Sequence, residues 1–451
     1  MLKDRILACL KDKDMENLKT LLEGALEIEI LNVFPEFSPN QQVIIFRLLA
    51  KDTALSIFEE LDTEDQQNLL DSFTDAQAIE LVNELAPDDR VRLLDELPAT
   101  VAKKILSSLS PNEREMTNLL MGYEAQTAGR IMTPEYVRLQ KELTVSEAIA
   151  KIKATTADKE TIYTIYITDD KRKLEGVVSL RDLVMANEDD KLEDIMEKIS
   201  ITVSTSTDQE EVARLLQRLD WLAVPVVDRE NRLVGIVTVD DAIDILEDEA
   251  TEDLYTQGGL MAGKEANRSE ALINGNLWTI WKVRLPFLGI TLIAGLLAGL
   301  VIDGFEEVLE SVAAVAIFIP LIMDMGGNVG TQSSTVFARG VVLGHINMTG
   351  FVKHFVKEVG VGFSLGLVTG VISGFVAAMW QGEPMLGVAV GLALIFTMTL
   401  ASLLGFLVPF LLVKANVDQA AGSAPIITSI KDITGLVVYF VFASILLAHL
   451  M

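Results

Sequence analysis

Five long apolar runs follow one another after Ala271: Leu285 to Ile302, Val312 to Phe337, Val359 to Trp380, Met385 to Val413, and Ala420 to Met451. Each has at least about the 17 residues that a helix needs to cross hydrocarbon. A globular domain does not bury five such helices in succession, so the chain is expected to end in a five-span α-helical transmembrane domain. Basic residues orient it. Lys282 and Arg284 precede the first run, Arg339, Lys353 and Lys357 separate the second from the third, and Lys414 separates the fourth from the fifth. The remaining two breaks hold only acids: Asp303, Glu306, Glu307 and Glu310, then Glu383. The basic side is expected to be cytosolic, which puts the C-terminus outside.

Charge separates the halves. The 451 residues carry a net charge of -28 together with a mean hydropathy of +0.36. From Ala271 onward there are 7 basic and 9 acidic residues, leaving 30 and 56 in residues 1–270, a net of -26. So acidic a front half repels nucleic acid and anionic head groups and collects cations. The single cysteine, Cys9, excludes an internal disulfide framework and a Cys-rich metal site, and it fits a reducing compartment. The opening MLKDRILACLKDKD lacks the long apolar core of a signal peptide, so the front half is expected to stay in the cytosol.

Two internal repeats divide that front half. FSPNQ at Phe37, LDTED at Leu61, LAPDD at Leu85 and LSPNE at Leu109 recur every 24 residues. Ser38 with Gln41 and Ser110 with Glu113 have capping-box spacing, and Pro39, Pro87 and Pro111 suit a first helical turn. Two short helices per repeat, stacked on their neighbours, make an α-helical superhelical N domain over residues 1–129. From 130 to 253 the pattern becomes mixed. Asp169 to Asp182 matches Asp228 to Asp241 at an offset of 59, each reading strand, turn, strand and helix start, each preceded by a helix and a strand. The doubled Gly-h-h-Ser/Thr-x-x-Asp pattern resembles an α/β tandem CBS pair. Such pairs bind adenine nucleotides beside a helix start, which makes Ser179, Arg181 and Asp182, with Thr238 and Asp241, candidate ATP contacts and Trp221 a candidate adenine-stacking surface. The bland alternative is that the Ser/Thr and Asp residues only cap helices.

Polar residues inside the apolar runs carry the chemistry. The second run contains Pro320-Leu-Ile-Met-Asp-Met-Gly-Gly-Asn-Val-Gly-Thr-Gln-Ser-Ser334. Gly326, Gly327, Asn328, Gly330 and Gln332 are costly on a helix that faces lipid, and point to a wet path or a tight helix interface. The fifth run contains Asp432, followed by nineteen almost uninterrupted apolar residues, with Thr428 one turn earlier and Lys431 expected on another face. An oxygen-only set with one carboxylate suits hydrated Mg²⁺ better than a metal wanting His or Cys. The stretch Val239 to Asp253 adds eight carboxylates on a helix whose apolar face is expected at Ile243, Leu246 and Ala250. These acids repel one another unless cations bridge them, or else form a solvated face.

With these motifs the chain resembles the MgtE family of magnesium transporters over essentially its whole length. The resemblance implies a homodimeric Mg²⁺ channel of the plasma (inner) membrane, with Asp432 as the ion-selecting carboxylate and cytosolic acids that sense Mg²⁺ and shut the gate. It assigns sensing to Asp208, Glu210, Asp220, Asp241, Asp244, Glu249, Glu252 and Asp253, and a helix over 254–284 to a plug between the CBS pair and the transmembrane domain of 285–451. In the N domain, Asp88 and Asp89 are the chosen ligands. The alternatives are a secondary transporter coupling Mg²⁺ to Na⁺ or H⁺ through Asp324 or Asp432, and a membrane-anchored nucleotide-sensing scaffold. No P-loop occurs, and His345, His354 and His449 stand singly, so an enzyme is not expected.

Overall fold

A computed structural model describes residues 2–450 apart from 62, 74, 98, 156–158, 199–200, 261–271, 274, 347 and 416–422. It divides into two compact units, Met1–Glu249 and Ala250–Met451. Of the plug expected over 254–284, residues 261–271 and 274 lie outside the described set.

The 24-residue repeat becomes a stack of paired helices: Pro39–Leu48 with Lys51–Glu59, Thr63–Ser72 with Asp75–Glu84, and Pro87–Glu96 with Ala99–Ser108, before a final Pro111–Met121. Phe37, Leu61, Leu85 and Leu109, the first residue of each repeat, are all buried in one core. Ser38 and Gln41 form the expected capping box, and Ser110 Oγ accepts from Glu113 N at 3.4 Å. A second periodicity accompanies the first. Gln42, Gln66 and Arg90 are buried at 24-residue intervals, and each donates to the carbonyl eight residues back: Phe34 at 3.3 Å, Phe58 at 2.7 Å and Val82 at 2.8 Å. Phe58 and Val82 lie near helix ends, where carbonyls lack partners within the helix, and Phe34 opens the 3-10 turn Phe34–Glu36, so each donor ties its repeat to the segment before it. Arg114, next in this register, is exposed.

The CBS pair forms two three-stranded sheets, β1 (Tyr136–Leu139), β2 (Thr161–Thr168) and β3 (Leu174–Ser179), then β4 (Val203–Ser204), β5 (Ala223–Val227) and β6 (Leu233–Thr238). In both, the first pair is parallel and the second antiparallel. Lys173 and Arg232, equivalent at the offset of 59, bridge each other. A local twofold therefore passes between them and relates the halves.

Among the described residues, five helices in the second unit are long and apolar enough to cross a membrane: Ile280–Asp303, Ala314–Val342, Phe351–Gln381, Pro384–Lys414 and Pro425–Leu446. The third begins eight residues before its apolar run, because Lys353 and Lys357 extend it as an exposed basic turn. The fourth is the most enclosed. It meets the third so closely that a Cβ at Gly370 would lie 2.6 Å from Gly391 O, and one at Gly374 equally close to Gly387 O. Small residues at four-residue spacing permit that backbone approach.

Candidate metal centres and ion path

The candidate residues form an acidic neighbourhood in the first unit and a set of separate polar side chains in the second. In the first, the helix Pro87–Glu96 presents Asp88 and Asp89 in its opening turn, and the helix Val239–Gln257 presents Asp240 and Asp241 in its own. Glu59 and Glu160 join them through their fields. Asp88 is held well above the usual carboxylate range by burial and then by Asp241, Asp89 and Glu160, and its Oδ1 is buried with no hydrogen-bond partner among the described residues. Asp241 is pushed up to about 7 by burial and by Asp89, Asp240 and Glu160, against the hydroxyl of Thr238, which donates to it at 2.6 Å. Glu59 is pushed up to about 7 by burial and Asp89, against Ala86 N–H. Glu160, whose outer edge meets solvent, is pushed up to about 7 by desolvation, Asp240 and Asp89. Burial also raises Asp89, which Arg92 offsets.

The structure thus gathers Asp88, Asp89, Asp241 and Asp244, and adds Glu59 and Glu160, which no local pattern marks. Arg92 Nη1 lies 3.3 Å from Asp244 Oδ2. Other expected ligands have different employment. Asp208 caps the helix Gln209–Leu219, accepting from Glu210 N at 2.9 Å; Glu210 pairs with Arg214; and Asp220 ends that helix in the left-handed region, with φ of 53°. Glu249 accepts from Gln209 Nε2 at 2.8 Å. Glu252 and Asp253 lie on the last turns of the long helix, in the second unit. Its buried face differs from the expected one: Ala242, Ile245 and Leu246 pack on the CBS core and Ile243 is exposed, because the i, i+3, i+4 set around Ala242 faces β5 and β6. Among the described residues, no three of His, Cys, Asp and Glu converge for direct metal ligation.

Two of the four nucleotide candidates form a helix cap. Ser179 Oγ accepts from Asp182 N at 3.1 Å, and Asp182 Oδ2 accepts from Ser179 N at 3.3 Å. Arg181 is exposed, and Trp221 packs partly against the second CBS core. A cavity of about 480 Å³, lined by Tyr123, Thr127, Thr205, Asp228 and Arg232 among others, includes none of these four residues.

In the membrane unit the Gly-rich segment splits by face. Gly326 and Gly330 are buried: a Cβ at Gly326 would lie 2.6 Å from Lys431 Cδ and 2.8 Å from Thr397 Cγ2, and one at Gly330 3.0 Å from Ile427 Cγ2. Both therefore sit at close contacts between spanning helices. Asn328 and Gln332 are exposed on the other side, where Asn328 Nδ2 donates to Asp324 Oδ2 at 3.2 Å. Gly327 lies between these faces and Thr428 is half-buried. Lys431 departs from its expected face. Its ammonium contacts Asp432 Oδ1 and donates to Met323 O, because a four-carbon stem laid over Gly326 reaches round the helix. Glu358 supplies another carboxylate that the motifs did not mark: Ser333 Oγ donates to its Oε1 at 2.7 Å, and Ser402 Oγ to its backbone carbonyl at 2.8 Å. At the polar end, Gly259 follows the long acidic helix with φ of 78°, and a Cβ there would lie 3.3 Å from the ring of Pro425, which opens the fifth spanning helix.

Comparison with known proteins places each region. Residues 27–126 match the MgtE intracellular N domain, 128–189 and 192–248 match CBS domains, and 319–442 match the MgtE divalent cation transporter domain. A magnesium transporter MgtE of Thermus thermophilus is 41% identical over 335 residues, 74% of this chain and 73% of the relative. That of Bacillus subtilis is 38% identical, over 72% and 71%. The crystal structure of the cytosolic domain of the Mg²⁺ channel MgtE in complex with ATP superposes with a TM-score of 0.52 at 35% identity, covering 54% of this chain and 99% of that one.

Proposed function

The chain belongs to the MgtE family of magnesium transporters, and from that premise we propose a homodimeric channel that admits Mg²⁺ across the plasma membrane and is closed by Mg²⁺ bound among its cytosolic acids. The observation that carries the reading is the neighbourhood of Asp88, Asp89, Asp241 and Asp244, joined by Glu59 and Glu160. Burial and mutual repulsion make ionisation costly there, so the protein gathers carboxyl groups whose charge Arg92 offsets only in part, through Asp89 and Asp244. Mg²⁺ keeps several waters and reaches carboxylates through them, so it needs no dry three-ligand cage. Bridging these acids favours the arrangement in which the N domain and the second CBS repeat are in contact. A ligand biases two states only by binding one of them better, so the closed form is the one that holds more Mg²⁺.

Permeation falls to Asp432, with Asn328, Gln332 and Thr428 as the oxygen lining and the glycines as packing. The basic loops put the C-terminus outside. A negative interior then drives entry by about 4.6 kcal/mol per 100 mV for a divalent ion, with no hydrolysis. The chain that carries Asp240 and Asp241 continues to Gly259, which within the second unit meets Pro425, seven residues before Asp432, and coupling is proposed to follow that chain. ATP is proposed to bind the CBS pair near Arg181 and Asp182, following the relative whose cytosolic domain was crystallised with ATP. The deciding experiment is Mg²⁺ flux into liposomes holding the purified protein. Entry that stops when the cytosolic face sees millimolar Mg²⁺ is expected, and flux indifferent to that Mg²⁺ refutes sensing.

A further inference from the structure

Lys431 is 1% exposed on a helix that crosses the membrane, where a buried cation is costly unless it is paired. Its ammonium has two partners, the carboxylate of Asp432 beside it and the carbonyl of Met323 on the second spanning helix. Its stem occupies the space that Gly326 leaves open, since a Cβ there would lie 2.6 Å from Lys431 Cδ, and a Cβ at Gly327 would lie 3.3 Å from its Nζ. We infer that Lys431 is a built-in counter-cation of the pore, a specificity-determining residue that sets how tightly Asp432 holds a passing ion. The inference rests on the reading of Asp432 as the pore carboxylate.

The physical argument is competition. An unopposed carboxylate in a membrane interior attracts a divalent ion strongly, and conduction requires binding weak enough to release. A fixed ammonium on Asp432 Oδ1 takes up part of that charge, while the other oxygen stays available to the hydrated ion. The Met323 carbonyl holds the ammonium in place, so the ion weakens the pair without expelling the lysine. Gly326 belongs to the same device, because a Cβ at 326 forces the lysine stem to shift. This assigns the glycine a partner 105 positions away.

The test measures Mg²⁺ uptake against external Mg²⁺ in full-length channel reconstituted in liposomes. Lys431→Gln keeps a donor for Met323 and removes the charge. Its half-saturating Mg²⁺ concentration should fall by about tenfold, with a lower maximal rate because exit slows. Lys431→Arg, which keeps the charge, should retain the wild-type half-saturation. Gly326→Ala keeps the lysine but denies it room and should move half-saturation in the same direction as Lys431→Gln. The double variant should add little, since both changes remove one interaction. An unchanged half-saturation in well-assembled Lys431→Gln overturns the inference. If that variant does not assemble, an unchanged value in Gly326→Ala overturns it instead. Asp432→Ala is run alongside: normal uptake there removes the pore assignment itself, an outcome distinct from a Lys431 variant that behaves as wild type.

Discussion

Arg92 and Asp244, 152 residues apart in sequence, meet with Nη1 3.3 Å from Oδ2, so the N domain touches the second CBS repeat through a cation that the protein supplies itself. The pair is half exposed, and such pairs contribute at most about 1 kcal/mol to stability. Its larger effect is on the field, because Arg92 also lowers the proton affinity of Asp89. Replacing it with alanine should leave the melting temperature nearly unchanged while the acids bind Mg²⁺ more tightly. Calorimetric titration of Mg²⁺ into residues 1–257 measures this, and weaker binding in Arg92→Ala would show that the contact matters more than the charge.

Proton linkage gives a second prediction. Glu59, Glu160 and Asp241 have folded values of about 7, above those of the unfolded chain. Between the unfolded and folded values the native state binds more protons, so stability falls as pH rises. Without Mg²⁺, the front half should become less stable as pH rises from 4 through about 7. Mg²⁺ favours the ionised carboxylates, so millimolar Mg²⁺ should flatten the slope. Thermal melts at several pH values with and without the ion decide it, and a slope of the opposite sign contradicts the assignment.

Arg90 offers a test of the repeat. It is 1% exposed, donates to Val82 O and to Leu85 O at 2.6 Å, and pairs with Glu113 at 2.6 Å. Arg90→Met removes those hydrogen bonds and leaves Glu113 unpaired and should destabilise the N domain by about 3 kcal/mol or more, whereas Gln66→Leu removes one of two donors to Phe58 O, which Leu61 N still serves at 3.3 Å, and should cost about 1 kcal/mol. Denaturant unfolding ranks the two, and equal effects would contradict the shared role of the register.

The helix starts of that repeat were legible because Pro and capping residues recur at fixed positions. The closing donors were not, because Gln42, Gln66 and Arg90 differ in type and only the fold reveals that each reaches the carbonyl eight residues back. The same limit hid Glu59 and Glu160. They come from distant segments, and nothing local marks an acid whose neighbours are other acids brought by tertiary contact. Lys431 illustrates a different limit. Assigning helical faces follows the Cα–Cβ direction, whereas a lysine stem reaches beyond its own face when a glycine on the facing helix leaves space. Asp432, by contrast, is marked as a candidate by the sequence itself, since an acid within an apolar span needs a reason.

Asp432 carries the permeation prediction. Asp432→Ala should abolish Mg²⁺ uptake while the protein still assembles, and Asp432→Asn should weaken selectivity, because an amide keeps the shape but loses the charge a divalent ion requires. Radiotracer or fluorescent-indicator uptake with competing Na⁺ distinguishes the two.

Coupling between sensor and pore is tested where Gly259 meets Pro425. At φ of 78° Gly259 occupies backbone space unfavourable to β-branched residues, and a side chain there begins 3.3 Å from the proline ring. Gly259→Val should therefore either unwind the end of the acidic helix or push it off the fifth spanning helix. Neither change alters Asp88, Asp89, Asp241 or Asp244, so Mg²⁺ should still protect the front half from limited proteolysis at wild-type concentrations. Flux should nevertheless persist at cytosolic Mg²⁺ that silences the wild type, because the bound ions no longer act on the helix that carries Asp432. Retained shut-off in Gly259→Val would place the coupling elsewhere, and loss of proteolytic protection would show that this junction contributes to sensing itself.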